Sequence, residues 1–283
     1  MPTFVSAEIA NPNLSVDTFA PTTTALDVDG WLNVCVSAGT EYAYLTTKHH
    51  DGFALWPTAY HADGYAPYSI AQTAWYAANG SPDIVGDFVA ACRAHGIKPG
   101  LYISAWDLTF EARTGTNETT NAAGYIAMIE TQLTELLTNY GDIMAIWIDG
   151  WAWHLGYDEI PYSTIYNFIK SIQPNCLVVE NSHTHPTNTS QIEVFEQPVN
   201  GEQTIPVGNL RPAEMVATPR TDGRWFYNSG VDQTASALRS AATILGEIAN
   251  ANDNNATFML ALTPDTAGVL PLAQVDLCAS LGA

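Results

Sequence analysis

The chain reads as an α/β protein made of βα units, and the closed form such units favour is an eight-stranded, TIM-like (β/α)8 barrel. Three observations carry this reading. Short apolar runs alternate with longer helical stretches along the whole length. The runs are continuously apolar, which suits strands of a parallel sheet covered on both faces. The length of 283 residues fits one such barrel, which needs about 250. No linker or break in composition divides the chain, so residues 1–283 are read as a single domain.

Taken in order, Leu26–Ala38 is helical, with apolar residues at Leu26, Trp31, Leu32, Val34 and Cys35. Tyr42–Lys48 is a β-rich run. Pro82–His95 is helical: Ser81 suits an N-cap, proline suits the first turn, and Gly96 follows the end. Ile97–Ser104 is the next strand, with Pro99 favouring a late start. Thr120–Tyr140 is a long helix stopped by Gly141, and Ile143–Asp149 is a nearly all-apolar strand. Tyr162–Ile172 is a helix ending before Pro174. Cys176–Glu180, Ile192–Glu196, Met215–Thr218 and Thr257–Thr263 add four strands. Ala235–Ala249 and Leu272–Leu281 complete the helices. Strands and helices in this alternation require a parallel sheet.

Composition excludes several functions. Nine Lys and Arg stand against 29 Asp and Glu, a formal net charge of −20. Lys48, Lys98 and Lys170 are the only lysines. Phosphate binding needs clustered cations, so nucleic acid is excluded as a partner, and docking on anionic membranes with it. No apolar run approaches the ~20 residues of a membrane helix. Met1–Ala10 has neither the basic nor the apolar region of a signal peptide; the compartment stays open, an extracellular or virion-associated setting included. Cys35, Cys92, Cys176 and Cys278 lie far apart, without metal-ligand spacing, and read as reduced thiols.

In a (β/α) barrel the active site lies at the C-terminal strand ends. Here those ends carry His49 and His50, Ser104–Asp107, Asp149, Glu180–His185 and Glu196. Two carboxylates among Trp and His residues suit a retaining glycosidase: one attacks as nucleophile, the other serves as acid and then base. Aromatic rings stack on sugar C–H faces, while His and Asn bond hydroxyls.

The residues at these ends also carry a resemblance. KHHDGFALWP (48–57), DIVGDFVAACRAHGIKPG (83–100) leading into LYISAWD, WIDG (147–150), GRWFY (223–227) and LTPDTAGVLP (262–271) resemble the motifs of α-L-fucosidases of glycoside hydrolase family 29. The likeness runs from about residue 17 to 281. It implies a retaining mechanism on fucosylated glycans, with Asp149 as nucleophile and His49, His50 and Trp147 as sugar contacts. Trp106 and Trp56 are further contact candidates, each with plain packing as its alternative; Trp151 and Trp153 are rim candidates. The acid/base position varies within the family; Glu196 is the choice, with Glu193 and Glu180 as competitors. Alternation puts Glu193 and Glu196 on opposite faces unless a bulge intervenes. No cofactor and no metal is implied, although His49, His50, His183 and His185 are residue types that bind zinc. Asp51 is read as holding the KHHDGF turn, and Gly52 and Gly150 as turn glycines.

One departure stands out. The family's usual first strand, of the type GIFIHWG with a sugar-binding His, has no counterpart, so the barrel's first strand is read as atypical or missing. Glu8 corresponds to a sugar-contacting Glu of the loop after that strand, but Ile9 replaces the neighbouring Trp. Two functions therefore stay open. One is an active α-L-fucosidase. The other is a catalytically degenerate barrel that serves as a structural or sugar-binding subunit of a homo-oligomer or larger assembly, since an open sheet edge invites a partner strand.

Overall fold

The computed structural model describes residues 15–151, 160–181, 191–197 and 205–283. Its strands are β1 (Tyr42–Lys48), β2 (Lys98–Ser104), β3 (Ala145–Asp149), β4 (Leu177–Glu180), β5 (Ile192–Gln197), β6 (Ala213–Ala217) and β7 (Ala256–Leu260). Its helices are α1 (Val28–Ser37), α2 (Ala74–Ala78), α3 (Ile84–Ala94), α4 (Leu108–Thr114), α5 (Glu118–Asn139), α6 (Tyr162–Ile172), α7 (Ala241–Asp253) and α8 (Leu272–Leu281). The strands pair in parallel and in sequence order from β1 to β7. The sheet curls until Tyr42 Oη, at the start of β1, lies 2.8 Å from Thr257 Oγ1 on β7. This is a (β/α) barrel, with seven strands among the described residues.

There, β1 and β7 share no ladder. Between them runs a cleft of about 1130 Å³, walled by Leu32, Ile248, Phe258 and Leu281 and reaching His49, Asp149 and Glu196. Residues 1–14, whose start is read above as the loop that follows the family's first strand, lie outside the described residues.

The strands are apolar on both faces because both faces are covered. Inward, Trp147, Val179, Val194 and Val216 fill the barrel. Outward, Leu101, Ile103, Ile146, Ile148 and Val178 pack against the helices. Each large side chain buried this way contributes roughly 1.5–3 kcal/mol. Among the described residues no helix is long and apolar enough to cross a membrane, and all four cysteines are free thiols.

Several boundaries differ from expectation, three of them for a visible reason. Ser81 takes a positive φ of 60°, and Asp83 caps α3 instead, accepting from Gly86 N at 2.9 Å. The stretch Ala235–Ala249 divides into a 3-10 turn at Ala235–Ala237 and α7; Ser240 Oγ accepts from Thr243 N at 3.1 Å and starts the helix there. β6 begins at Ala213, because Glu214 interrupts the apolar run yet keeps its place in the ladder opposite Thr257.

A bulge at the end of β1 positions the following residues. Thr46 pairs with Tyr102 and Lys48 with Ile103, so Thr47 is the extra residue. The bulge turns Lys48 out of the barrel interior. Its ammonium is fully buried, 3.0 Å from Asp107 Oδ2. The other oxygen of Asp107 accepts from Phe110 N at 2.8 Å and so caps α4. Gly52, at φ 84°, passes directly over this carboxylate; a Cβ there would lie 2.2 Å from Asp107 Oδ1.

Lys48→Met leaves a buried carboxylate without its cation. The expected loss is about 3–5 kcal/mol of unfolding free energy, read from denaturant melts against the wild-type chain.

Candidate active site

The C-terminal ends of β1 to β5 converge on one carboxylate. Asp149, the last residue of β3, has a side chain only 14% exposed. It accepts three hydrogen bonds. Tyr102 Oη donates to Oδ2 at 2.5 Å, Gly150 N to Oδ1 at 2.7 Å, and Asn181 Nδ2 to Oδ1 at 3.1 Å. Burial pushes the carboxyl pKa up, but His50, His49 and these donors outweigh it and hold the group below its usual range. Asp149 is therefore ionised at neutral pH.

Asn181 ties a second carboxylate to the first. The same Nδ2 donates to Glu196 Oε2 at 3.1 Å. The register of β5 on β6 is regular, so alternation holds and Glu193 lies on the outer face, 4.0 Å from Arg211 Nε. Glu180 also faces outward, on the side of Tyr162 of α6, whose hydroxyl it helps push up after burial.

The histidines behave differently from each other. Ser104 Oγ donates to Trp106 O at 2.7 Å, so its single proton is used. His50 Nδ1, 2.7 Å from that oxygen, then carries a proton and donates to it. This leaves Nε2 turned to Asp149 Oδ2 at 3.6 Å. His49 lies parallel to Tyr102, ring centroids 5.7 Å apart, and meets Phe226 edge to face at 4.9 Å. Burial, reinforced by His50 and opposed by Asp149, pushes His49 down to about 3; its ring is neutral. One ligand atom each from His49, His50 and Asp149 lie within 4.8 Å of one another, so these three could hold a metal ion.

The aromatic candidates separate. Trp147 is buried, stacks on Tyr102 at 5.0 Å, and donates from Nε1 to Glu214 Oε2 at 2.8 Å. Trp106 lies against His50 at 4.9 Å, its indole donating to Glu111 at 3.2 Å. Gly150, at φ 88°, allows this loop to approach: a Cβ would lie 2.7 Å from Trp106 Cβ. Trp56 is not brought here. It is 1% exposed in the core between sheet and helices, and its Nε1 donates to Glu135 of α5 at 2.7 Å. Trp151 is fully buried and donates to Ile160 O at 3.1 Å. Asp51 holds the turn after the histidines, accepting from Phe53 N at 2.5 Å. Glu8, Trp153, His183 and His185 lie outside the described residues.

Sequence reasoning missed Tyr102 and Glu214, and took in Asn181 only as part of the strand-end stretch Glu180–His185, with no role of its own. Tyr102 and Asn181 were legible in principle. Tyr102 shares the parity of Ser104 on β2, and Asn181 that of Val179 on β4. Glu214 fell outside the expected strand.

Comparison with known proteins supplies the wider context. The family described as Alpha-L-fucosidase matches residues 12–283. A putative alpha-L-fucosidase 1 of Oryza sativa subsp. japonica is 40% identical over 148 residues, 52% of this chain and 26% of that protein. The chain spans about a quarter to a third of the length of the first curated relatives it matches. A putative alpha-L-fucosidase structure from Bacteroides thetaiotaomicron VPI-5482 superposes with a TM-score of 0.77 at 25% identity, covering 99% of this chain and 68% of that one. Another from Bacteroides thetaiotaomicron, a trapped covalent intermediate with 2-fluoro-fucosyl fluoride in a Glu-to-Gln variant, superposes at 0.74 with 19% identity, covering 94% and 61%.

Two outcomes follow from the electrostatics. Tyr102→Phe removes a donor to Asp149 and raises its pKa, measurable by carboxyl 13C titration. Burial pushes the carboxyls of Asp51 and Glu214 up to about 7. Both hold their proton more tightly folded than unfolded, so their contribution is complete below the unfolded value and lost as pH rises through the folded one. Stability in denaturant melts therefore falls between roughly pH 4 and 7, and Asp51→Asn flattens that slope.

Proposed function

Because the chain belongs to the α-L-fucosidase family, matched over residues 12–283, we propose that it hydrolyses terminal α-L-fucosyl linkages with retention, through a covalent fucosyl-enzyme. One observation carries the reading. Asp149 and Glu196 accept from a single amide nitrogen, each at 3.1 Å. The two bonded oxygens thus lie within about 6 Å, compatible with the ~5–5.5 Å of a retaining pair and short of most of the range for an inverting one.

The roles follow from the environments. Asp149, ionised and backed by three donors, attacks the anomeric carbon. The bond from that carbon to the leaving oxygen breaks, and Glu196 gives that oxygen its proton. In the second step Glu196, now a carboxylate, takes a proton from water. The water oxygen attacks the anomeric carbon and Asp149 leaves, so the starting configuration returns. His49, neutral, and His50, through Nε2, are suited to bond sugar hydroxyls, and Trp147 and Trp106 to border the ring. The fold neighbour trapped as a covalent intermediate after a Glu-to-Gln change supports this division of labour. No cofactor or metal enters either step.

The test is release of nitrophenol from 4-nitrophenyl α-L-fucoside. Asp149→Asn should reduce turnover to background in a folded protein. Glu196→Gln should lower turnover of fucosides with poor leaving groups by about 10²–10⁴-fold, with a smaller effect on fucosylation by the nitrophenyl substrate. Wild-type turnover in either variant on a natural-type fucoside sinks the assignment. A folded wild-type chain that binds L-fucose without turnover would favour the sugar-binding subunit instead.

A further inference from the structure

The proposed chemistry leaves one carboxyl of the barrel interior unused. Glu214, the second residue of β6, is 2% exposed. Its Oε2 accepts from Trp147 Nε1 at 2.8 Å, and its Oε1 accepts from Tyr42 Oη at 2.7 Å. Tyr42 Oη also lies 2.8 Å from Thr257 Oγ1. Two strands, β1 and β3, thus send a polar group to this one side chain, and β7 reaches it through Tyr42. From Trp147 the contacts continue. Its indole stacks on Tyr102 with an interplanar angle of 22°, and Tyr102 Oη donates to Asp149 at 2.5 Å. Glu214 is linked to the nucleophile through two aromatic rings.

Burying a carboxyl is costly, and an apolar residue of the same size would avoid that cost. It would also leave the indole N–H of Trp147 without a partner and the ring free to turn. We propose that Glu214 is a positioning residue of the fucosidase reaction: it fixes the rotation of the Trp147 indole, and through the stacked Tyr102 ring it fixes the hydrogen bond that aims Asp149. This rests on the hydrolase reading above.

The network tolerates both protonation states of Glu214. Ionised, it accepts from Tyr42, and Thr257 can donate to Tyr42 in turn. Protonated, it can donate to Tyr42, whose own proton turns to Thr257. Trp147 Nε1 donates to Oε2 in either case. The groups facing it are Tyr42 and Tyr44 of β1, Trp147 of β3 and Thr257 of β7; the hydroxyl of Tyr44 is pushed well up by burial and then by Glu214. Glutamine therefore reproduces the contacts without the charge, and leucine removes them.

The experiment compares wild type, Glu214→Gln and Glu214→Leu on 4-nitrophenyl α-L-fucoside. It adds thermal melts and the 15N–1H resonance of the Trp147 indole, assigned with Trp147→Phe. Glu214→Leu should lower kcat by about 10–100-fold with KM little changed, and shift the Trp147 resonance. Glu214→Gln should restore most of kcat and of the resonance position. In a Tyr102→Phe background, Glu214→Leu should cost little more, because the link to Asp149 is already cut. If Glu214→Leu does not fold, Glu214→Asp, one methylene shorter, carries the same expectation. Wild-type kcat in a folded Leu or Asp variant overturns the proposal, as do equal losses in Gln and Leu variants or additive losses with Tyr102→Phe. A folded wild-type chain without turnover overturns the hydrolase reading and the role of Glu214 with it; an active wild type with an unaffected Glu214 variant overturns only the latter.

Discussion

A carboxylate that has given up most of its water must receive hydrogen bonds and positive potential in exchange, and the top of this barrel is arranged around that requirement. Asp149 sits at the end of a strand whose four preceding residues are all buried. Left alone, burial would neutralise it. Donors from the two flanking strands and from its own following turn prevent this: Tyr102 from β2, Asn181 from just beyond β4 and the Gly150 amide. Each lies where a parallel sheet in simple sequence order delivers it. Neighbouring strands end at the same level, so the first polar residue on each inward face meets its counterparts.

The histidine pair depends on a local break in that regularity. Strict alternation along β1 would aim Lys48 inward at the barrel contents. The extra residue at Thr47 sends the ammonium to Asp107 beneath α4 instead. The chain then passes over that carboxylate at Gly52, and the start of α4 holds it from above, Leu108 N donating to His50 O at 2.9 Å. A buried ion pair contributes little net stability. Its value here is geometric: it anchors the loop that presents His49 and His50 to Asp149. Gly150 plays the matching part on β3, allowing the Trp106 loop to lie against the turn that follows Asp149.

The barrel interior below this layer is mostly apolar, and the Glu214 carboxyl stands out within it. A polar group at such depth is stable only when every hydrogen-bonding atom around it finds a partner. Tyr42, Trp147 and Thr257 provide this from three strands. The same tyrosine links the starts of β1 and β7 by one side-chain contact, and the cleft between the two strands runs from there up to the carboxylates.

Much of this was legible in the linear chain. Seven strands, most of the long helices and the strand-end positions of His49, His50, Asp149 and Glu196 follow from apolar runs bounded by polar residues and glycines. Those signals are local, and buried parallel strands declare themselves by composition. What the chain did not declare was which way side chains point and what they meet. Trp56 and Trp106 look alike in sequence, yet one lies in the core against Glu135 and the other beside His50. Asn181 and Tyr102 matter because strands distant in sequence end side by side. Glu214 matters because it completes hydrogen bonds for residues 67 and 172 positions away. Periodicity assigns a residue to a face. Only the closure of the sheet determines which other residues share that face, because the curvature that brings β1, β3 and β6 to one point arises from the packing of all the strands together.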